Sequence, residues 1–86
     1  MSRALTIHRI VIPPAERAKY FERLKRKESH YVGQGCRFWA FEEHALPGAF
    51  VEFCEADSPA ALSAAHAAAP EPVRDPGRIY TQVELS

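Results

Sequence analysis

The residues best suited to chemistry in this chain are carboxylates and imidazoles set among aromatics. The run Arg37-Phe38-Trp39-Ala40-Phe41-Glu42-Glu43-His44 leads through Ala45-Leu46-Pro47-Gly48 into Ala49-Phe50-Val51-Glu52-Phe53-Cys54-Glu55, which reads as two strands joined at a Pro-Gly turn. With Pro47-Gly48 at the turn centre, Leu46 pairs with Ala49, Glu43 faces Glu52 and Phe41 faces Cys54. Side chains alternate along a strand, so Trp39, Phe41 and Glu43 are expected to share a face with Phe50, Glu52 and Cys54. Two facing carboxylates in a partly apolar site raise one pKa and supply a general acid or base. The competing reading is a glutamate that reaches solvent or pairs with an arginine, and it applies more to Glu43 than to the central Glu52.

Four histidines are present, His8, His30, His44 and His66. None forms a ligand pair at helical spacing and no cysteine cluster accompanies them, so neither a metal nor a cofactor is expected. His66 lies one turn beyond Leu62 on the apolar face of a helix, where it can act as a base or hydrogen-bond donor in a pocket, or as a satisfied core histidine. His8 shares its strand face with Thr6, Ile10 and Ile12 and allows the same two readings. Cys54 has no evident base partner and reads as a small buried hydrophobe beside the pocket. The expected site therefore has Glu52 and His66 as catalytic groups, with His8, Trp39, Phe41, Phe50 and Cys54 against the ligand.

These groups need a scaffold. Leu5 to Ile12 is rich in β-branched residues and stops at Pro13-Pro14. Ala15 to about Glu28 reads as a helix with Ala18, Phe21 and Leu24 inward, Tyr20 at the edge of that stripe, and Lys19, Arg23 and Arg26 on the other side. His30-Tyr31-Val32-Gly33-Gln34-Gly35 reads as a loop because of its two glycines. After the hairpin, Ser58 and Pro59 form a helix start, and the alanine-rich segment to Ala69 places Leu62, Ala65, His66 and Ala69 on one face. Pro70 to Gly77 is a stiff connector, and Arg78 to Leu85 alternates as a last strand. The order β-α-β-β-α-β is the ferredoxin-like plan, an α+β fold with a four-stranded antiparallel sheet and both helices on one side.

At 86 residues the chain is expected to form one domain, spanning 1–86, whose stability is marginal without association. Its 47% hydrophobic and 26% charged residues are globular rather than disordered values. The eleven basic and eleven acidic residues are unevenly spread: residues 1–41 hold nine basic against three acidic, and the remainder two against eight. A net +6 facing a net −6 points to a basic helix beside an acidic hairpin, attracting each other within or between subunits, rather than to a polyanion site. The start of the chain lacks a long apolar stretch, no window offers the roughly 20 apolar residues of a membrane span, and the two cysteines have no metal or redox spacing. A cytoplasmic protein with free thiols and no membrane partner is expected.

Ala49-Phe50-Val51-Glu52-Phe53 matches the latter half of the octapeptide of RNA recognition motifs, which share this topology. Leu46-Pro47-Gly48 stands where that motif has a basic residue, a glycine and an aromatic, and Glu42, Glu52 and Glu55 repel phosphate, so no nucleic acid is expected. With its element order, Ile7-His8-Arg9-Ile10-Val11 in the first strand and the block Pro47-Gly48-Ala49-Phe50-Val51-Glu52-Phe53, the chain resembles the dimeric α/β-barrel superfamily. It looks most like small members related to antibiotic-biosynthesis monooxygenases and stress-responsive A/B-barrel proteins. Monooxygenase-type members carry a glutamate followed two residues later by tryptophan; Glu52 matches the first and Cys54 stands in place of the second. His8 resembles the first-strand histidine of the stress-responsive proteins. The resemblance implies a homodimer whose sheets pack face to face, and a cleft between sheet and helices for a small apolar or aromatic metabolite, bound or transformed in a monooxygenase-like or isomerase-like reaction. The alternative is a non-catalytic interaction module in which the aromatics only form the dimer seam.

Overall fold

The computed structural model describes residues 3–85. Strand β1 runs Ala4–Val11, helix α1 Arg17–Gly33, strand β2 Arg37–Glu42, strand β3 Ala49–Ala56, helix α2 Pro59–Ala67 and strand β4 Tyr80–Thr81. The sheet order β2-β3-β1-β4 is antiparallel throughout, the α+β arrangement expected of a ferredoxin-like plan. No helix among the described residues is long and apolar enough to cross a membrane.

Local sequence explains most boundaries. Pro13 is extended and Pro14 opens a single 3-10 turn that leads into α1. Ser58 caps α2 by accepting from the Ala61 amide at 3.1 Å, with Pro59 in the first turn. Helix α1 continues past Glu28 through the segment read as a loop. Gly35, at φ +77°, is the left-handed residue that ends it: the Gly35 amide bonds the Val32 carbonyl at 3.0 Å and the Cys36 amide bonds that of Tyr31 at 2.8 Å. That pair of bonds is a Schellman motif, so the terminator is Gly35 rather than Gly33. The inward stripe of α1 is Tyr20, Leu24, Lys27 and Tyr31; Phe21 lies at its edge, partly exposed but edge-on against Phe50 with ring centres 5.8 Å apart, while Ala18 is exposed.

The hairpin register also differs from the Pro-Gly-centred reading. Residues 43–48 form a six-residue loop with Pro47-Gly48 at its end, closed by bonds from the Glu43 amide to the Ala49 carbonyl and from the Gly48 amide to the Glu42 carboxylate. Phe41 pairs with Val51 and Phe38 with Cys54. Phe38 therefore shares the helix-covered face with Phe50, Glu52 and Cys54, whereas Trp39 and Phe41 lie on the opposite face with Val51 and Phe53. Gly48 (φ +97°) is the hinge of this loop; a Cβ there would come within 2.9 Å of the Ile12 carbonyl oxygen.

The last strand is shorter than its alternation suggests. Its register would bring residues 77–79 beside Thr6–His8, but the Arg78 amide bonds the Asp75 carbonyl and the Ile79 amide that of Gly77, so the chain is still turning there. Only Tyr80 and Thr81 pair with β1, followed by one bond from the Gln82 amide to the Arg3 carbonyl.

The core on the helix side forms two clusters. One gathers Ala4, Tyr31, Cys36, Cys54, Ala56, Leu62 and Ala65, with Phe38 and Ile79 against it. The other holds Ile12, Tyr20 and Phe50, flanked by Ile10 and Leu24. At nine residues α2 is about 13 Å long, whereas β1 spans about 27 Å, so α2 covers one half of the strand and leaves the middle open. The uneven charge distribution resolves into ion pairs: Arg3, Arg9, Arg17, Arg26, Lys27 and Arg37 each meet a carboxylate from residues 42–71.

Candidate functional site

Where α2 stops short of the middle of β1, a cleft of about 510 Å³ lies between the sheet, α1 and the connector. Its floor is a row of directly paired residues on β1 and β3, Thr6 opposite Cys54 and His8 opposite Glu52. Lys27, His30 and Tyr31 reach in from α1, His66 from α2, and Pro70 to Arg74 form the far wall. The connector thus contributes a wall as well as a link. The volume is that of a small-molecule site.

Glu52 is 5% exposed, and both its oxygens have partners. The Tyr20 hydroxyl donates to Oε2 at 2.7 Å and Lys27 Nζ to Oε1 at 2.8 Å. Burial, reinforced by the adjacent carboxylate, pushes the Tyr20 phenol well above its ordinary range, so it stays protonated and remains a donor. His66 is held just as firmly: Nδ1 lies 2.7 Å from the Tyr31 hydroxyl and Nε2 2.9 Å from Thr6 Oγ1. Burial, with His30 nearby, lowers its pKa and favours the neutral ring, which donates at one nitrogen and accepts at the other. Both of its hydrogen-bonding positions are therefore occupied by the protein. Tyr31 is fixed in turn by stacking on Phe38, rings 5.8 Å apart and 4° from parallel.

His8 differs. It is half-buried in the cleft and makes no side-chain hydrogen bond among the described residues. Desolvation lowers its pKa, opposed by the Glu52 charge across the strands and assisted by Lys27 and Arg74. Antiparallel pairing sets the His8 and Glu52 Cβ atoms about 5 Å apart. The arrangement is a neutral imidazole open to the cleft with a carboxylate beside it, able to accept a proton and be stabilised as the imidazolium.

Cys54 lines the cleft as a thiol pushed up to about 12, chiefly by burial, and Cys36 lies in the same cluster, also raised. Both are free and buried. No group of three histidine, cysteine or acidic side chains among the described residues is placed to hold a metal.

Of the residues singled out in the sequence, His8, Glu52, Cys54 and His66 converge on this cleft. Phe50 is on the same sheet face but sits 2% exposed in the second cluster, outside the lining. Trp39 and Phe41 are on the other face, 43% and 59% exposed, with Phe41 packed edge-on against Phe53. Glu43 does not face Glu52; it lies in the loop, 3.4 Å from Arg9. Tyr20, Lys27 and Tyr31 went unrecognised, although their spacing of seven and then four residues marks one helix face. Compared with protein-family models, with curated proteins and with solved structures, the chain matches none.

Proposed function

We propose that this chain is a small-molecule protein that binds an apolar or aromatic metabolite in the helix–sheet cleft and moves a proton on it in an isomerase-like step. The observation that carries this reading is His8: an imidazole facing a cavity of ligand size with no side-chain hydrogen bond among the described residues, while the neighbouring Glu52 and His66 have all their polar atoms engaged. His8 takes the proton, Glu52 stabilises the resulting cation, and His66 with Tyr31 and Thr6 holds the wall. Phe38, Tyr31 and Val73 provide the apolar contact. A screen of apolar and aromatic metabolites by ligand-observed NMR, run in D2O, tests both parts. Binding that protects cleft resonances, with deuterium entering the ligand's acidic carbon for wild type but not for His8→Ala, is expected. The absence of any cleft-directed binder defeats the reading, and binding without exchange defeats the proton transfer.

The same reading makes the chain a homodimer through the uncovered sheet face. Trp39, Phe41, Ile7 and Val11 are each more than 40% exposed there, large apolar side chains on one sheet face that a second copy would cover. That face equally supports the alternative of a non-catalytic interaction module, in which dimerisation persists and no metabolite binds.

A further inference from the structure

We infer that the cleft selects a metabolite whose apolar body carries a carboxylate, and that Arg74 is the residue that takes it; this rests on the cleft reading above. Three cations line the cavity, Arg26, Lys27 and Arg74, against two carboxylates, Glu52 and Glu71. Lys27 is committed to Glu52 at 2.8 Å, and Arg26 lies 4.0 Å from Glu71. Arg74 has neither an ion pair nor a side-chain hydrogen bond among the described residues, so one net positive charge is left over, and it sits on the connector wall.

The backbone sets where Arg74 leaves the connector. The prolines at 70, 72 and 76 stiffen the connector, and Asp75 takes φ +50°, with its carbonyl accepting from the Arg78 amide, so the chain reverses immediately after Arg74. Arg74 is close enough for its charge to act on His8, with Asp75 acting in the opposite sense. A guanidinium matches a carboxylate with two parallel hydrogen bonds. A monoanion held there would place its apolar part toward Phe38 and Tyr31 and the intervening carbon over His8. Proton transfer to a weak base is feasible at a carbon next to a ketone or aldehyde carbonyl and not at one activated by a carboxylate alone. The carboxylate therefore serves binding, and a separate carbonyl activates the carbon over His8.

Phenylacetate and its neutral isostere phenylacetamide serve as probes, titrated into 15N-labelled protein. Wild type should bind phenylacetate about tenfold more tightly than the amide, a preference that shrinks with added salt because Arg74 is exposed. Arg74→Gln should abolish the preference by weakening phenylacetate toward the affinity of the amide; Arg74→Lys should retain part of it. Equal affinities in wild type, or a preference that survives Arg74→Gln, overturn the assignment while leaving the cleft intact as a neutral site. If neither probe moves cleft resonances, the cleft reading itself fails and this inference with it.

Discussion

Replacing Lys27 by methionine should destabilise the protein more than replacing its partner Glu52 by glutamine. The asymmetry follows from exposure: the Glu52 side chain is 6% exposed and that of Lys27 29%. In Lys27→Met the carboxylate keeps only the Tyr20 hydroxyl, and Oε1 loses its only partner among the described residues. Stripping one partner from a fully buried pair costs about 3–5 kcal/mol. Here the lysine is partly solvated and the open cleft admits water, which reduces the expected cost to about 2 kcal/mol. In Glu52→Gln the Tyr20 hydroxyl still finds an acceptor and Lys27 can turn to solvent, so the loss is about 1 kcal/mol. The double variant should be about as stable as Glu52→Gln alone, because the charge that lysine neutralises is gone. For an 86-residue domain 1 kcal/mol moves Tm by about 4–8 °C, so Lys27→Met should melt about 10 °C lower. Urea and thermal unfolding at pH 7, followed by circular dichroism, measure all four proteins. Additive losses in the double variant, or a Lys27→Met no worse than Glu52→Gln, refute the reasoning.

Three other outcomes are expected. Gly48→Ala should cost about 2 kcal/mol in urea unfolding, from its positive φ and the approach to the Ile12 carbonyl, and a change below about 0.5 kcal/mol contradicts the loop geometry. Trp39→Ser combined with Phe41→Ser should turn a dimer into a folded monomer by sedimentation, with the far-ultraviolet spectrum unchanged; a monomeric wild type at micromolar concentration removes the dimer proposal. His8 and His66 both have folded pKa values below the ordinary 6.5, chiefly through burial, so the unfolded chain takes up their protons first on acidification. Their contribution is complete above pH 6.5 and declines below it, by at most about 1.4 kcal/mol per pH unit for each group. Glu42, lowered to about 2 chiefly by Arg17, and Glu55, held below the ordinary range by Arg37 and Arg3, remain ionised across that window. Stability measured from pH 7.5 to 5.5 should fall, with a shallower slope in His66→Gln.

The elements were largely legible because they are signalled locally: Pro13-Pro14 ends a strand, Ser58-Pro59 starts a helix, and the order of elements fixes the topology. Register was not. A loop of six rather than two residues changes which side of the sheet Trp39 and Phe41 occupy, and its closure depends on the Glu42 carboxylate bonding the Gly48 amide and on Arg17 bracing that carboxylate, contacts that depend on the folded loop and on a helix 25 residues away. Ending α1 at Glu28 hid the half of the site that Tyr31 and His30 provide. Gly33 looks like a breaker, yet in the last turn it is tolerated, and the left-handed position falls two residues later. Glu52, His66, His8 and Cys54 were legible because strand alternation and helix spacing fix their faces whatever the turn does.

The division of the interior into two apolar clusters has a mechanical consequence. The polar row of His8 and Glu52, with Lys27 above, lies between the Tyr20–Phe50 end and the Tyr31–Leu62 end. Such a seam is where a small domain breaks into separately opening units, visible as two classes of amide hydrogen exchange. The cleft opens on the polar row and on the Tyr31–Leu62 end, and none of its lining belongs to the Tyr20–Phe50 cluster. Anything seated in the cleft would therefore slow exchange at the Tyr31–Leu62 end alone and widen the gap between the two classes.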